Sequence, residues 1–392
     1  MKKIIFCLQT MVRGGVEKEL LTILPHFPKN KYSVSVLIMY DSDKEISDQV
    51  SAKGATLINL GIDEKYYCSS TKDVVLQRMQ RGHFIESIKV LALQGLKIGY
   101  TGSVISLKDI PSLGEHYDIA VCYHMHSQIA VKYVAEKISA DMKYLWMHND
   151  FVSTGFNPRR IKKFLSMYKY FVGCSEKVTD EFSKAIPEYA GKAITVHNII
   201  DTDEVKRMAQ ESIDDIRFLQ RHGHTILTIG RYVPQKGYED AIKASRILLD
   251  MGVDFSWYAI GFGSEEENLK KMISEFGLKE RFFLLGKKAN PYPYIKNCDI
   301  YVQPSRHEGF VLTVCEARIF NKPIVSTDFA GIREQIIDGF TGTIVPVGDS
   351  CEMAKKIYEL MQNKELMTKY SDNLASETSQ TEKYLQDLLT LF

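Results

Sequence analysis

The chain has 392 residues, 45% of them hydrophobic, 11% aromatic and 25% charged. That composition excludes disordered, collagen-like and disulfide-scaffold classes and allows two or three domains. Fifty Lys and Arg against 49 Asp and Glu leave a net charge of +1, so no global field draws a polyanion and no nucleic-acid partner is expected.

Cys7, Cys68, Cys122, Cys174, Cys298, Cys315 and Cys351 are scattered, never spaced as C-x-x-C, and several lie in apolar runs. They read as reduced thiols in a cytoplasmic protein. Met1–Leu8 has two lysines and a short apolar stretch, but Gln9, Thr10 and Arg13 follow. The stretch is too short for a signal-peptide core and reads as a buried first strand. No run reaches the ~18–20 apolar residues needed to span a bilayer.

Strand-like runs alternate with helical stretches throughout, the pattern of parallel α/β layers. The first half offers strands at Lys3–Leu8, Ser33–Met39, Thr56–Leu60, Ile119–Tyr123, Lys143–His148, Tyr170–Cys174 and Ala193–His197. The second offers Thr225–Gly230, Asp254–Gly261, Arg281–Leu285, Asp299–Gln303, Pro323–Ser326 and Gly342–Val345. The polar stretch Asn198–His224 separates them and holds a hinge. Two Rossmann-like lobes facing across a cleft is the simplest architecture with this order.

Ligands of open parallel sheets bind beyond the carboxyl ends of strands, so three loops matter most. Gly14-Gly15 precedes a helix over Val16–His26 and is either a plain turn or a phosphate loop; the dinucleotide fingerprint G-x-G-x-x-G is absent. After the strand ending in Gly230 come Arg231 and Lys236, which are ordinary surface charges or a diphosphate clamp. After Asp299–Gln303 comes Glu308-Gly309-Phe310-Val311, and Glu316 follows Glu308 by eight residues, ~2.2 helical turns. The apolar run Phe310–Cys315 reads as the start of a buried helix, with first-turn amides near Gly309–Leu312 open to an anion.

In this order the segments resemble the retaining glycosyltransferases called group 1 or family four, of the GT-B fold. Gly14-Gly15-Val16-Glu17, Val196–Asp201, Gly230-Arg231, Lys236-Gly237, Ile260–Gly263, the E-x7-E element from Glu308 to Glu316, Gly331 and Asp338-Gly339 carry the resemblance. It implies an acceptor lobe over 1–200, a nucleotide-sugar lobe over 201–376, and a last helix, 377–392, that returns to the first lobe. It also implies that Arg231 and Lys236 hold the donor phosphates and Glu316 the ribose. Glu308, with the Gly309, Phe310 and Val311 backbone, would meet the sugar and diphosphate, while Gly14 and Gly15 close over the phosphates. His148, beyond a central strand, is the candidate beside the reacting centre; the alternative is a structural histidine. Val311 departs from the small residue common at its position, which bears on how the sugar hydroxyls fit.

The implied reaction moves a hexose-type sugar from a nucleotide-diphosphate sugar, UDP first and GDP second, to a glycan, lipid-linked or other glycoconjugate acceptor in cell-surface polysaccharide synthesis. No cofactor or donor metal is expected, the nucleotide sugar being a substrate. Asp41-Ser42-Asp43 and Asp201-Thr202-Asp203 have metal-binding spacing but read as loop or capping residues. His124-Met125-His126 lacks a third zinc ligand in sequence. Lys72–Tyr100 reads as a helix pair packed on its own sheet, or as a basic amphipathic surface touching the inner membrane leaflet. A UDP-sugar epimerase, a two-lobed solute-binding protein and a nicotinamide dehydrogenase are the competing readings.

Overall fold

A computed structural model describes residues 1–11, 14–40, 44–62, 79, 107, 110–149, 161–377 and 381–392. The stretch 72–100, but for Met79, and the triplet 41–43 lie outside the described residues. The chain splits into two compact units. The first comprises Met1–Gly173, Glu181–Val196 and Leu388–Phe392; the second comprises Cys174–Asp180 and His197–Asp387.

The first unit is built on seven parallel strands: β1 (Lys2–Leu8), β2 (Tyr32–Tyr40), β3 (Thr56–Ile62), β4 (His116–Cys122), β5 (Ser139–Met147), β6 (Tyr170–Gly173) and β7 (Ala193–Thr195). Their order across the sheet is β3-β2-β1-β4-β5-β6-β7. Continuous apolar runs such as Ile4–Leu8 are wholly buried, as expected of parallel strands covered on both faces. Phe392 belongs to this core, its ring 5.7 Å from Phe6 and 5.2 Å from Phe27. Lys2 Nζ donates to the Phe392 carbonyl at 2.7 Å and Tyr144 OH to the Leu391 carbonyl at 3.0 Å. Burying such a ring contributes ~1.5–3 kcal/mol, enough to fix the last turn of the helix Thr381–Leu391 to this unit.

The second unit repeats the plan with six parallel strands: β8 (His224–Ile229), β9 (Phe255–Ile260), β10 (Phe282–Gly286), β11 (Ile300–Gln303), β12 (Ile324–Thr327) and β13 (Thr343–Val345). The order is β10-β9-β8-β11-β12-β13. A buried hydroxyl is paired across it: Thr228 Oγ1 donates to the Val302 carbonyl at 2.9 Å and accepts from Trp257 Nε1 at 3.1 Å. One hydroxyl thus ties β8, β9 and β11 together without an unmet polar group.

In both sheets the strand order reverses between neighbours, at β1/β4 and at β8/β11. The connecting helices leave in opposite directions there, opening a crevice beyond the strand ends. Among the described residues no helix is long and apolar enough to cross a membrane.

Candidate functional site

The β8/β11 crevice gathers the second unit's candidate residues. After β8 the chain passes the exposed Arg231 and makes a short 3-10 turn, Pro234–Lys236. Gly237 follows at φ +66°, a left-handed conformation, and a Cβ there would stand 2.0 Å from the Pro304 carbonyl oxygen. Glycine is therefore needed at 237 to bring the two strand-end loops together. Tyr238 OH donates to the Gly230 carbonyl at 2.8 Å and braces the same turn.

The two loops meet at Lys236 Nζ and Glu308 Oε1, 2.5 Å apart, with only 16% and 10% of the side chains exposed. A string of polar side chains stands behind them. Tyr301 OH donates to Gln303 Oε1 at 2.9 Å, Gln303 Nε2 to Ser305 Oγ at 2.8 Å, and Ser305 Oγ to Glu308 Oε1 at 3.0 Å. Thr313 Oγ1 also donates to Gln303 Oε1, at 3.2 Å. Glu316 is 1% exposed; burial raises the Tyr301 phenol, and the nearby Glu316 charge adds to that rise. Gln303 and Ser305 were not singled out from sequence, although two polar residues ending a buried strand were the available signal.

The expected helix start differs. The helix is Leu312–Ile319, and Val311 is its extended N-cap. Gly309, Phe310 and Val311 form a loop before it; the Val311 carbonyl accepts from the Val314 and Cys315 amides of the first turn, at 3.2 and 3.4 Å, while its own amide turns to Gln335. The Val311 amide donates to Gln335 Oε1 at 3.1 Å and the Val311 side chain lies in the apolar core. The Val311 amide is thus engaged within the unit rather than open to an anion. A cavity of about 290 Å³ has Phe310, Cys315, Arg318 and Ile319 in its lining.

Glu334, also unforeseen, accepts from the amides of Glu176 and Lys177 at 2.8 and 3.0 Å, where the helix Glu176–Ala185 begins. It also accepts from His197 Nε2 at 3.0 Å. Burial pushes its carboxyl up, but the bonds from His197 and the two amides outweigh that and hold it below the ordinary value. His197 stacks on Tyr384 at 4.5 Å.

In the first unit the loops after β1 and β4 meet at the other crevice. Gln9 N–H donates to His124 Nδ1 at 3.2 Å, which places that ring's proton on Nε2, 3.7 Å from Glu17 Oε1. Burial pushes the His124 imidazole down to about 3, with the charges of His148 and His126 adding to the effect. At neutral pH its contact with Glu17 is therefore polar rather than ionic. Gly14 caps the helix Gly15–Ile23, and the Glu17 carboxylate reaches back to within 2.5 Å of where a Gly14 Cβ would stand. His148, just past β5, is 8% exposed, its Nδ1 3.2 Å from Glu19 Oε2 though out of line for a hydrogen bond. Asp201 caps the helix Thr202–Met208 through the Glu204 amide at 2.8 Å. Among the described residues no group of three His, Cys, Asp or Glu is placed to hold a metal.

Residues 210–376 match the family described as glycosyl transferases group 1. An alpha-D-kanosaminyltransferase of Streptomyces kanamyceticus is 28% identical over 230 residues, which cover 51% of this chain and 60% of the relative. The amylovoran biosynthesis glycosyltransferase AmsK of Erwinia amylovora is 32% identical over 145 residues, covering 35% of this chain and 36% of the relative. The chain thus spans less than two thirds of the length of either relative. The crystal structure of Anabaena HepE in complex with UDP-glucose matches over 100% of both chains, at 16% identity and a TM-score of 0.71, and so shares the fold. Two Rossmann-like units of GT-B type and the match over 210–376 lead to one conclusion: within the second unit, residues 210–376 form a segment that matches the group 1 glycosyl transferases.

Proposed function

We propose that the chain transfers a hexose-type sugar from a nucleotide-diphosphate sugar, UDP ahead of GDP, to a glycan, lipid-linked or other glycoconjugate acceptor, with retention. The Lys236–Glu308 pair at the β8/β11 crevice carries this reading. It places a cation and a hydrogen-bond acceptor where a parallel sheet binds its ligand. UDP is favoured because the HepE structure that shares this fold holds UDP-glucose, and a glycoconjugate product because AmsK acts in amylovoran biosynthesis.

In the proposed chemistry Arg231 and Lys236 neutralise the diphosphate and Glu316 accepts from the ribose hydroxyls. Glu308 divides its carboxylate between Lys236 and a sugar hydroxyl, and residues 1–200 supply the acceptor's site, with His148 near the reacting centre. The bond from the anomeric carbon to the phosphate oxygen breaks and one to the acceptor oxygen forms on the same face. The acceptor's proton passes to the departing phosphate. Cations aimed at that oxygen stabilise the charge that develops on it, with no enzymic nucleophile and no metal.

A thermal-shift panel of UDP, GDP, ADP and their sugars tests the donor class, since a ligand that binds only the folded state raises its stability. The reading expects UDP or a UDP-sugar to give the largest shift. No shift with any nucleotide would contradict it.

A further inference from the structure

Gln335 is 2% exposed and its amide is engaged on both sides. Nε2 donates to the Val311 carbonyl at 2.8 Å and to Cys315 Sγ at 2.8 Å, while Oε1 accepts from the Val311 amide at 3.1 Å. One side chain therefore closes on both backbone groups of Val311 and on the first turn of the helix that carries Glu316. Four residues earlier, Gly331 adopts φ +76°, and a Cβ there would stand 2.1 Å from the Gly309 carbonyl oxygen. The strap 331–335 thus backs the loop 309–311 at both ends.

This chemistry calls for an amide. Val311 offers one donor and one acceptor, and a carboxylate could satisfy only the donor while facing the Val311 carbonyl with a negative charge. An apolar side chain would leave the Val311 amide buried without a partner, the carbonyl keeping its bonds from the Val314 and Cys315 amides at 3.2 and 3.4 Å. Asn is one methylene too short to span the same gap.

We infer that Gln335 is a positioning residue for the donor: it sets the Gly309–Val311 loop and the register of Glu316 without itself touching the nucleotide. This rests on the reading of that loop and of Glu316 as a nucleoside-diphosphate site. A loop held by its own side-chain clamp meets the diphosphate already ordered, so binding does not have to supply the ordering.

Two measurements separate the clamp from the donor reading: exchange of the Val311 amide followed by NMR in the unliganded protein, and UDP affinity by calorimetry. In Gln335→Met, Val311 exchange is expected to accelerate at least about tenfold and UDP affinity to fall at least about tenfold. Gln335→Glu should behave like Gln335→Met at pH 8. It should recover both protection and affinity as the pH falls and the acid gains the proton that mimics the amide donor. Should Gln335→Met not fold, the recovery in Gln335→Glu carries the test alone. Unchanged Val311 exchange in both variants would overturn the clamp, and faster exchange with unchanged UDP affinity would overturn its role in positioning. If the wild-type protein itself failed to bind UDP, the donor reading would fall, and with it the role assigned to Gln335.

Discussion

Lys236 Nζ lies 2.5 Å from Glu308 Oε1, and the same oxygen accepts from Ser305 Oγ at 3.0 Å. Removing either ion leaves the other poorly solvated, so the pair is expected to be coupled. A double-mutant cycle of Lys236→Ala and Glu308→Ala, followed by chemical denaturation, should give an interaction energy of ~1–3 kcal/mol. In turnover assays Lys236→Ala should weaken donor binding, whereas Glu308→Ala should reduce transfer more than binding. Strictly additive stabilities would show that the contact is incidental.

Gly237 and Gly331 both have left-handed backbones and both abut a carbonyl oxygen, at 2.0 and 2.1 Å from a notional Cβ. Gly237→Ala and Gly331→Ala should each destabilise the protein by at least ~2 kcal/mol, since a clash with backbone adds to the left-handed penalty. Gly191, where a Cβ would meet nothing within 4 Å, is the control. Equal denaturation midpoints for Gly237→Ala and Gly191→Ala would count against the close approach of the two loops.

Glu334 gives a pH-dependent expectation. Its folded-state pKa is held below the ordinary value despite burial. The stability it contributes is therefore present above the unfolded value of ~4.3 and lost as the pH falls through the folded value. Glu334→Gln should be less stable than wild type by ~1–3 kcal/mol at pH 7, with the difference shrinking as the pH falls below the unfolded value and through the lowered folded one. A stability difference that did not shrink on acidification would contradict this.

His124, pushed down to about 3 chiefly by burial, should stay neutral from pH 8 to pH 5. Its imidazole carbon-bound proton resonances should not titrate over that range. The sign for stability follows. The unfolded histidine takes up a proton below ~6.5 and the folded one does not, so stability falls as the pH drops from there. Titration of His124 near 6.5 would show that its ring is open to water.

The local part of this architecture was legible in the sequence. Among the described residues each of the thirteen strands overlaps a run picked out in the sequence; the central ones stand out because strands covered on both faces are continuously apolar, as in Ile4–Leu8, whereas the edge strand Thr56–Ile62 is only partly covered. The strand-end loops holding Lys236 and Glu308, and the helix carrying Glu316 after the second of them, followed from that placement. Long-range pairing was not legible. Phe310–Cys315 has the apolar content of a helix, but the helix starts at Leu312 and the amide of its N-cap, Val311, is bonded to Gln335, 24 residues away in sequence. Glu334 receives its bonds from residues 158, 157 and 137 positions earlier. No local period in the sequence encodes such partners, and their polar type alone does not distinguish them from surface residues.

The second unit is proposed to bind a nucleoside diphosphate at the β8/β11 crevice, with Glu316 on the ribose. Calorimetric titration of UDP into the wild-type protein and into Glu316→Ala tests it most directly. The account predicts saturable binding by the wild type and at least about a tenfold loss in Glu316→Ala, the cost of hydrogen bonds to a buried charged group. Absence of saturable binding by the wild type, or equal affinities for the two proteins, would contradict it.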